Sequence, residues 1–153
     1  GRFGFSDVLT LLLVMDSYVE LYKGGIVPLA DFVNMPYDRD ILVRVIVKKT
    51  AAHYSYKSVR ISKTDFPVLT CAAALTQEGV QAAVGARPAK AALVKDAEQL
   101  ATLPMTAEKA QAFAEYAAGL LPKETNPRGS AAYRTHLIKV LTARCLTELG
   151  GKA

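Results

Sequence analysis

Few side chains in this sequence have the types and spacing that catalysis requires. The two histidines, His53 and His136, lie far apart, and neither has a serine, cysteine or carboxylate partner at a useful local spacing. The chain contains no phosphate-binding loop of the GxxxxGK type, no GxGxxG run and no HExxH motif. The sequence therefore predicts no catalytic residue and no metal site for this polypeptide alone.

The two cysteines, Cys71 and Cys145, both stand among apolar residues. Their spacing matches neither a set of metal ligands nor the disulfide framework of a small secreted domain. We expect buried, reduced thiols and a cytoplasmic protein.

One cation, Lys57, occupies an unusual position. Strand alternation over "HYSYKSVRIS" puts Tyr56 and Arg60 on one side, and Lys57 on the other side with Val59. A lysine on the apolar side of a strand either extends its ammonium group to water or meets an anion, because burying an unpaired charge is costly. The pattern leaves both outcomes open.

An acidic residue, Asp7, also permits two interpretations. It follows Ser6, a good helix N-cap, at the start of the apolar run "VLTLLLVMD". Its carboxylate either only stabilises the positive end of the helix or also contacts a ligand there.

Around these residues the hydrophobic pattern indicates an α+β fold. After the first helix we expect strands at "SYVELY" and "ILVRVIVKK", and then a three-stranded antiparallel meander made by "HYSYKSVRIS", "PVLTCAAAL" and "VQAAVGA". Three helical segments follow, near 95–102, over 107–121 with Thr106 as N-cap, and over 131–149 with Ser130 as N-cap. In the last helix Tyr133 and Leu137 lie on the apolar stripe, and Arg134 lies off it. The prediction is a three-stranded sheet packed against a three-helix layer, preceded by an α/β segment, with domains at 1–50 and 51–153.

Composition and charge narrow the classes of function. The chain has 153 residues, 51% of them hydrophobic, and a net charge of +5 whose excess lies entirely after residue 50. The cations are spread over strands, loops and helices, a pattern that disfavours nucleic-acid binding. The run "LTLLLVM" is too short to span a bilayer, so we expect no membrane segment. The start "GRFGFSD" lacks a methionine and enters a helix almost at once, which suggests a chain cut from a larger protein.

A set of ordered motifs carries a family resemblance over residues 51–149. The motifs are Tyr56-Lys57, Arg60 and Lys63, Asp65, the apolar strand 68–75, Gly85 and Pro88, Arg128-Gly129-Ser130 and Tyr133-Arg134. Together they resemble the C-terminal domain of the flavoprotein component of molybdenum hydroxylases, the group that includes xanthine dehydrogenase and carbon monoxide dehydrogenase. Residues 1–50 resemble the end of the preceding FAD-binding domain, through Ser6-Asp7 and Asp40-Ile41-Leu42.

The resemblance implies FAD as cofactor, and a molybdenum cofactor and 2Fe-2S clusters on partner subunits. In the family, electrons pass from the iron-sulfur clusters through FAD to NAD, a quinone or oxygen. Carried over residue by residue, Ser6 and Asp7 are expected against the flavin nucleotide, Leu42 against the isoalloxazine ring and Lys57 near the polar edge of that ring. A cation there would stabilise the reduced, anionic flavin.

The family's glycine-rich diphosphate loop and Gly-Gly-Asn segment are absent from this sequence. We therefore expect this polypeptide alone to bind FAD weakly and to be inactive, because the diphosphate lacks its backbone donors. Expected partners are an N-terminal FAD-binding segment, the molybdenum-binding large subunit and the iron-sulfur small subunit. The alternative is a non-catalytic module that docks on partner subunits without bound flavin.

Overall fold

The first helix begins where its capping residues predict. The computed structural model describes residues 6–37 and 39–151, and helix α1 spans Asp7–Val14. The Leu9 amide donates to Ser6 Oγ over 3.1 Å, so Ser6 is the N-cap. The chain start, on which the expectation of a cut polypeptide rests, lies outside the described residues.

Within the described residues, seven strands and three more helices follow α1. They are β1 Ser17–Leu21, β2 Gly25–Pro28, α2 Leu29–Asn34, β3 Leu42–Val47, β4 His53–Val59, β5 Leu69–Thr76, β6 Gly79–Gly85, β7 Ala92–Lys95, α3 Ala107–Leu120 and α4 Ala131–Gly150. The described strands form two antiparallel sheets, one in the order β2-β1-β3 and one in the order β4-β5-β6-β7. The α+β class is confirmed.

The second sheet has one strand more than the three predicted. Strand β7 pairs with β6, and the predicted helix near 95–102 is wrong. Asp96 explains the difference, since its carboxylate accepts hydrogen bonds from the amides of Leu100, at 2.9 Å, and Ala101, at 2.7 Å. Gln99 has a φ of 56°, which interrupts a right-handed helix. The helical layer therefore consists of two helices, α3 and α4.

The second sheet is covered on both faces. Helices α3 and α4 pack on one face, where side chains such as Cys71, Ala73 and Phe113 form one hydrophobic cluster. Helix α1 packs on the other face, where Ala72 and Ala74 belong to a second cluster. The alanine-rich sequence of β5 follows from this arrangement, because a strand between two helical layers carries small apolar residues on both sides.

A buried hydrogen bond joins α1 to the second sheet. The hydroxyls of Thr10 and Thr70 lie 2.8 Å apart, and they occupy the space that a Cβ at Gly85 would need. The first helix, which the sequence grouped with residues 1–50, therefore packs against strands from residues 51–153.

Candidate functional site

The N-terminus of α1 gathers polar side chains from two distant parts of the chain. Asp7 Oδ1 accepts a hydrogen bond from the Tyr56 hydroxyl at 3.2 Å and pairs with the Arg60 guanidinium at 2.5 Å. Tyr56 of β4 and Arg60, the residue after its last position, both reach Asp7, so they lie on the same side, as the alternation predicted. No local pattern indicated the contact with Asp7, because 53 residues separate Asp7 from Arg60.

Tyr56 is a fixed donor in this cluster. Partial burial, together with the neighbouring negative charge of Asp7, raises the pKa of Tyr56 to about 12. The phenol therefore keeps its proton at ordinary pH and donates a hydrogen bond to Asp7. The Asp7 carboxylate is thus oriented by one neutral donor and one cation.

Arg60 extends the cluster to the connection between β4 and β5. Its guanidinium also donates to the Asp65 carbonyl at 2.6 Å. The Asp65 carboxylate lies 3.5 Å from the Arg128 guanidinium, which stands 5.4 Å from the centre of the Phe66 ring. The β4–β5 connection is therefore held by arginines on two sides.

Arg134 supports this connection from within, although the sequence placed it off the buried stripe of α4. The residue has no exposed surface, whereas Tyr133, predicted on that stripe, is 45% exposed. The Arg134 guanidinium donates to the carbonyls of Val68, Glu124 and Gly129 and to the Asn126 side chain. The predicted sides of α4 for Arg134 and Tyr133 were thus wrong, because the arginine is buried and the tyrosine is largely exposed. Periodicity scores arginine as polar, but here three backbone carbonyls and one side-chain oxygen accept the hydrogen bonds of the guanidinium, which allows it to be buried.

Lys57 lies on the opposite face of β4 from Tyr56. Its ammonium group pairs with Glu148 of α4 at 2.8 Å, and the Ser55 hydroxyl donates to the same carboxylate at 2.9 Å. The hydrogen bond to Glu148 raises the pKa of Lys57. The lysine thus meets an anion, as one of the two predicted outcomes requires, and the anion is supplied by this chain.

The predicted site residues therefore fall in three places. Ser6 and Asp7 are together at the start of α1, Leu42 opens β3 opposite Leu21, and Lys57 faces α4. Because β4 is an edge strand of its sheet, both of its faces border the same open edge. Leu42 is 43% exposed, which leaves it accessible to a ligand.

The described ranges, 6–37 and 39–151, contain neither a metal-binding cluster nor a membrane-spanning helix. No group of three or more histidine, cysteine, aspartate or glutamate side chains there is arranged to hold a metal ion. No helix in these ranges combines the length and apolarity that crossing a bilayer requires.

Comparisons with known proteins agree with this fold. The chain is similar to a subunit of quinoline 2-oxidoreductase from Pseudomonas putida 86, with a TM-score of 0.81 and 20% identity, over 99% of this chain and 58% of that one. It is also similar to a carbon monoxide dehydrogenase from Hydrogenophaga pseudoflava that lacks the Mo-pyranopterin moiety of its cofactor, with a TM-score of 0.84, 18% identity and the same coverages. A sequence comparison with curated proteins found no match.

The chain spans about 58% of the length of these structural relatives, and at such identities the likeness establishes the fold. The sequence profile of the CO dehydrogenase flavoprotein C-terminal domain matches residues 54–149, which is more than half of the chain. This match confirms the resemblance on which the sequence analysis relied. The chain belongs to the family of CO dehydrogenase flavoprotein C-terminal domains.

Proposed function

We propose that this chain is the C-terminal part of an FAD-binding subunit of a molybdenum hydroxylase. In the complete enzyme the subunit passes electrons from 2Fe-2S clusters on a small subunit, fed by a molybdenum centre on a large subunit, to an acceptor such as NAD. Residues 1–50 complete the FAD-binding domain, and residues 51–153 form the family domain. Membership of a flavoprotein family over residues 54–149 supports this proposal.

The observation that carries the proposal is the cluster at the start of α1. A helix N-terminus and the Arg60 guanidinium together favour an anionic group such as a nucleotide diphosphate. The Asp7 carboxylate, oriented by Tyr56 and Arg60, is an acceptor for hydroxyl groups of the same nucleotide. FAD, when bound, supplies the one- and two-electron chemistry, and the protein supplies orientation and electrostatics.

The two other predicted ligands take different roles. Leu42 is exposed at the start of β3 and offers an apolar contact to the isoalloxazine ring. Lys57 would influence the flavin from the open edge of β4. Its pairing with Glu148 partly compensates its positive charge. Removing Glu148 should therefore strengthen any effect of the lysine on the flavin potential.

The alternative is a docking module without flavin, and one observation favours it. Strand β3 exposes Leu42, Val43, Val45 and Val47, each to 41% or more. Apolar strands of this kind are covered in stable assemblies. The same surface also suits the N-terminal FAD-binding segment of the first proposal. A measurement of flavin binding therefore distinguishes the two proposed functions.

The test is FAD titration of the subunit extended by its N-terminal segment, followed by flavin absorbance. We expect Asp7→Ala to weaken FAD binding by about tenfold or more, because it removes hydrogen bonds made by a charged group. Asp31→Ala, in the first turn of α2, is the matched control and should leave FAD affinity unchanged. Equal affinity in Asp7→Ala and the unmodified protein would remove Asp7 from the site.

Lys57→Ala and Glu148→Gln separate the roles of the ion pair. We expect the flavin potential to fall in Lys57→Ala and to rise in Glu148→Gln, measured by spectroelectrochemical titration. A potential that moves in neither variant would exclude Lys57 as a flavin ligand. An extended subunit that folds but binds no FAD would favour the docking module.

A further inference from the structure

A carboxylate just before β3, that of Asp40, closes the turn between β1 and β2. Its Oδ1 accepts hydrogen bonds from the amides of Lys23, at 2.9 Å, and Ile41, at 2.8 Å. Its Oδ2 accepts one from the amide of Gly24 at 2.8 Å and a longer one from Lys23 at 3.1 Å. One side chain therefore joins two backbone segments that lie 17 residues apart in the sequence.

The strand pairing by itself constrains the start of β3 weakly. Among the described strands, β3 has one neighbour, β1, so its other edge makes no ladder hydrogen bonds. Strand β1 pairs Glu20 with Arg44 and the next residue, Leu21, with Leu42, so the register shifts by one residue at this point. Such an irregularity interrupts the ladder and changes the direction of the side chains beside it. Leu42 lies on the far side of this shift.

Asp40 supplies the missing constraint immediately before Leu42. The Ile41 carbonyl accepts a hydrogen bond from the Tyr22 amide at 2.9 Å, so Ile41 is held through its carbonyl and, by Asp40, through its amide. Desolvation alone would raise the pKa of Asp40, but the hydrogen bonds from the three amides lower it overall. The carboxylate is therefore ionised at neutral pH, and an ionised acceptor makes stronger hydrogen bonds than a neutral one.

We propose that Asp40 is a positioning residue for the flavin and that it acts through Leu42. The inference rests on the proposed function, in which the exposed Leu42 side chain contacts the isoalloxazine ring. A contact between a side chain and a planar ring depends on accurate placement of the backbone that carries the side chain. By fixing the residue before Leu42 in advance, Asp40 reduces the ordering that has to occur when the flavin binds.

The test is a double-mutant cycle on FAD affinity in the subunit extended by its N-terminal segment. Asp40→Asn removes the charge and replaces one accepting oxygen by a donor, and we expect it to raise the Kd about threefold to tenfold. Leu42→Ala should also weaken binding. Because Asp40 acts through Leu42, adding Asp40→Asn to Leu42→Ala should change the Kd by less than about twofold. Losses that multiply fully in the double variant would overturn the proposal.

Asp96 provides the matched control. Its carboxylate also accepts hydrogen bonds from backbone amides, those of Leu100 and Ala101, and closes a turn after β7. Asp96→Asn should therefore lower the free energy of unfolding and leave the FAD affinity unchanged. A loss of FAD affinity in Asp96→Asn equal to that in Asp40→Asn would show that general destabilisation explains both, and positioning by Asp40 would be excluded.

The outcomes separate this inference from the proposed function. An extended, unmodified subunit that folds without binding FAD would refute the proposed function and the role of Asp40 with it. If the unmodified subunit binds FAD and Asp40→Asn binds it equally well, only the role of Asp40 is refuted. If Asp40→Asn fails to fold, Asp40→Glu takes its place in the cycle, because it keeps the charge and displaces the carboxylate by one methylene group.

Discussion

The two sheets of this molecule both contain strongly apolar strands, but these strands lie in opposite environments. Strands β5 and β6 of the second sheet are almost wholly buried between α1 on one face and α3 with α4 on the other. Strand β3 of the first sheet is richer than either in valine, leucine and isoleucine, yet nearly every residue is exposed. The difference shows that apolar alternation predicts a strand, whereas its burial depends on the elements that the rest of the chain supplies.

This contrast bears on the proposed parent protein. The described part of the chain supplies two helical layers for the second sheet and leaves the edge strand β3 uncovered. An exposed apolar edge strand promotes association with another segment. The proposed N-terminal FAD-binding segment would cover β3, and the second sheet would keep its own core whether or not that segment is present.

The largest expected effect tests the core of the second sheet. Phe113 of α3 is fully buried, and we expect Phe113→Ala to lower the free energy of unfolding by about 3–5 kcal/mol, because the cavity adds to the lost apolar transfer. Leu120→Ala, on the same helix and 56% exposed, is the control and should change it by at most about 0.5 kcal/mol. Urea unfolding measures both. Similar losses in the two variants would mean that α3 does not seal this core.

Local signals allowed much of this core to be predicted from the sequence. The predicted N-caps Ser6, Thr106 and Ser130 each accept a hydrogen bond from an amide three residues later. Capping involves only neighbouring residues, so the residue types carry the information.

Contacts between distant residues account for what the sequence did not reveal. Where a helix was predicted near 95–102, the structure has a turn closed by the Asp96 carboxylate. Arg134 is buried because carbonyls from separate segments of the chain accept its hydrogen bonds. The candidate site has the same property, because Asp7 meets Arg60 only after α1 has packed on the second sheet. Position along the strand predicted that Tyr56 and Lys57 lie on opposite sides of β4. The residues that they contact depend on the tertiary fold.

A smaller effect tests how α1 is attached to the second sheet. A methyl group at Gly85 would overlap the hydroxyls of Thr10 and Thr70, reaching 2.6 Å from the latter. We expect Gly85→Ala to break the bond between the threonines and to cost about 1–3 kcal/mol. Gly119→Ala, where nothing lies within 4 Å, should instead stabilise α3 by about 0.5–1 kcal/mol. Thermal unfolding distinguishes the two, and a neutral Gly85→Ala would show that α1 can shift on the sheet.

The smallest expected effect comes from the same substitution, valine to threonine, made once in each sheet. Val84 of β6 has no exposed surface, so Val84→Thr buries a hydroxyl and should lower the free energy of unfolding by about 1–2 kcal/mol. Val45 of β3 is 43% exposed, and Val45→Thr should change it by at most about 0.5 kcal/mol, since water can reach the hydroxyl. In the subunit extended by its N-terminal segment, however, Val45→Thr should become as costly as Val84→Thr if that segment covers β3. Equal, negligible costs for Val45→Thr in both lengths of protein would mean that β3 remains a free surface.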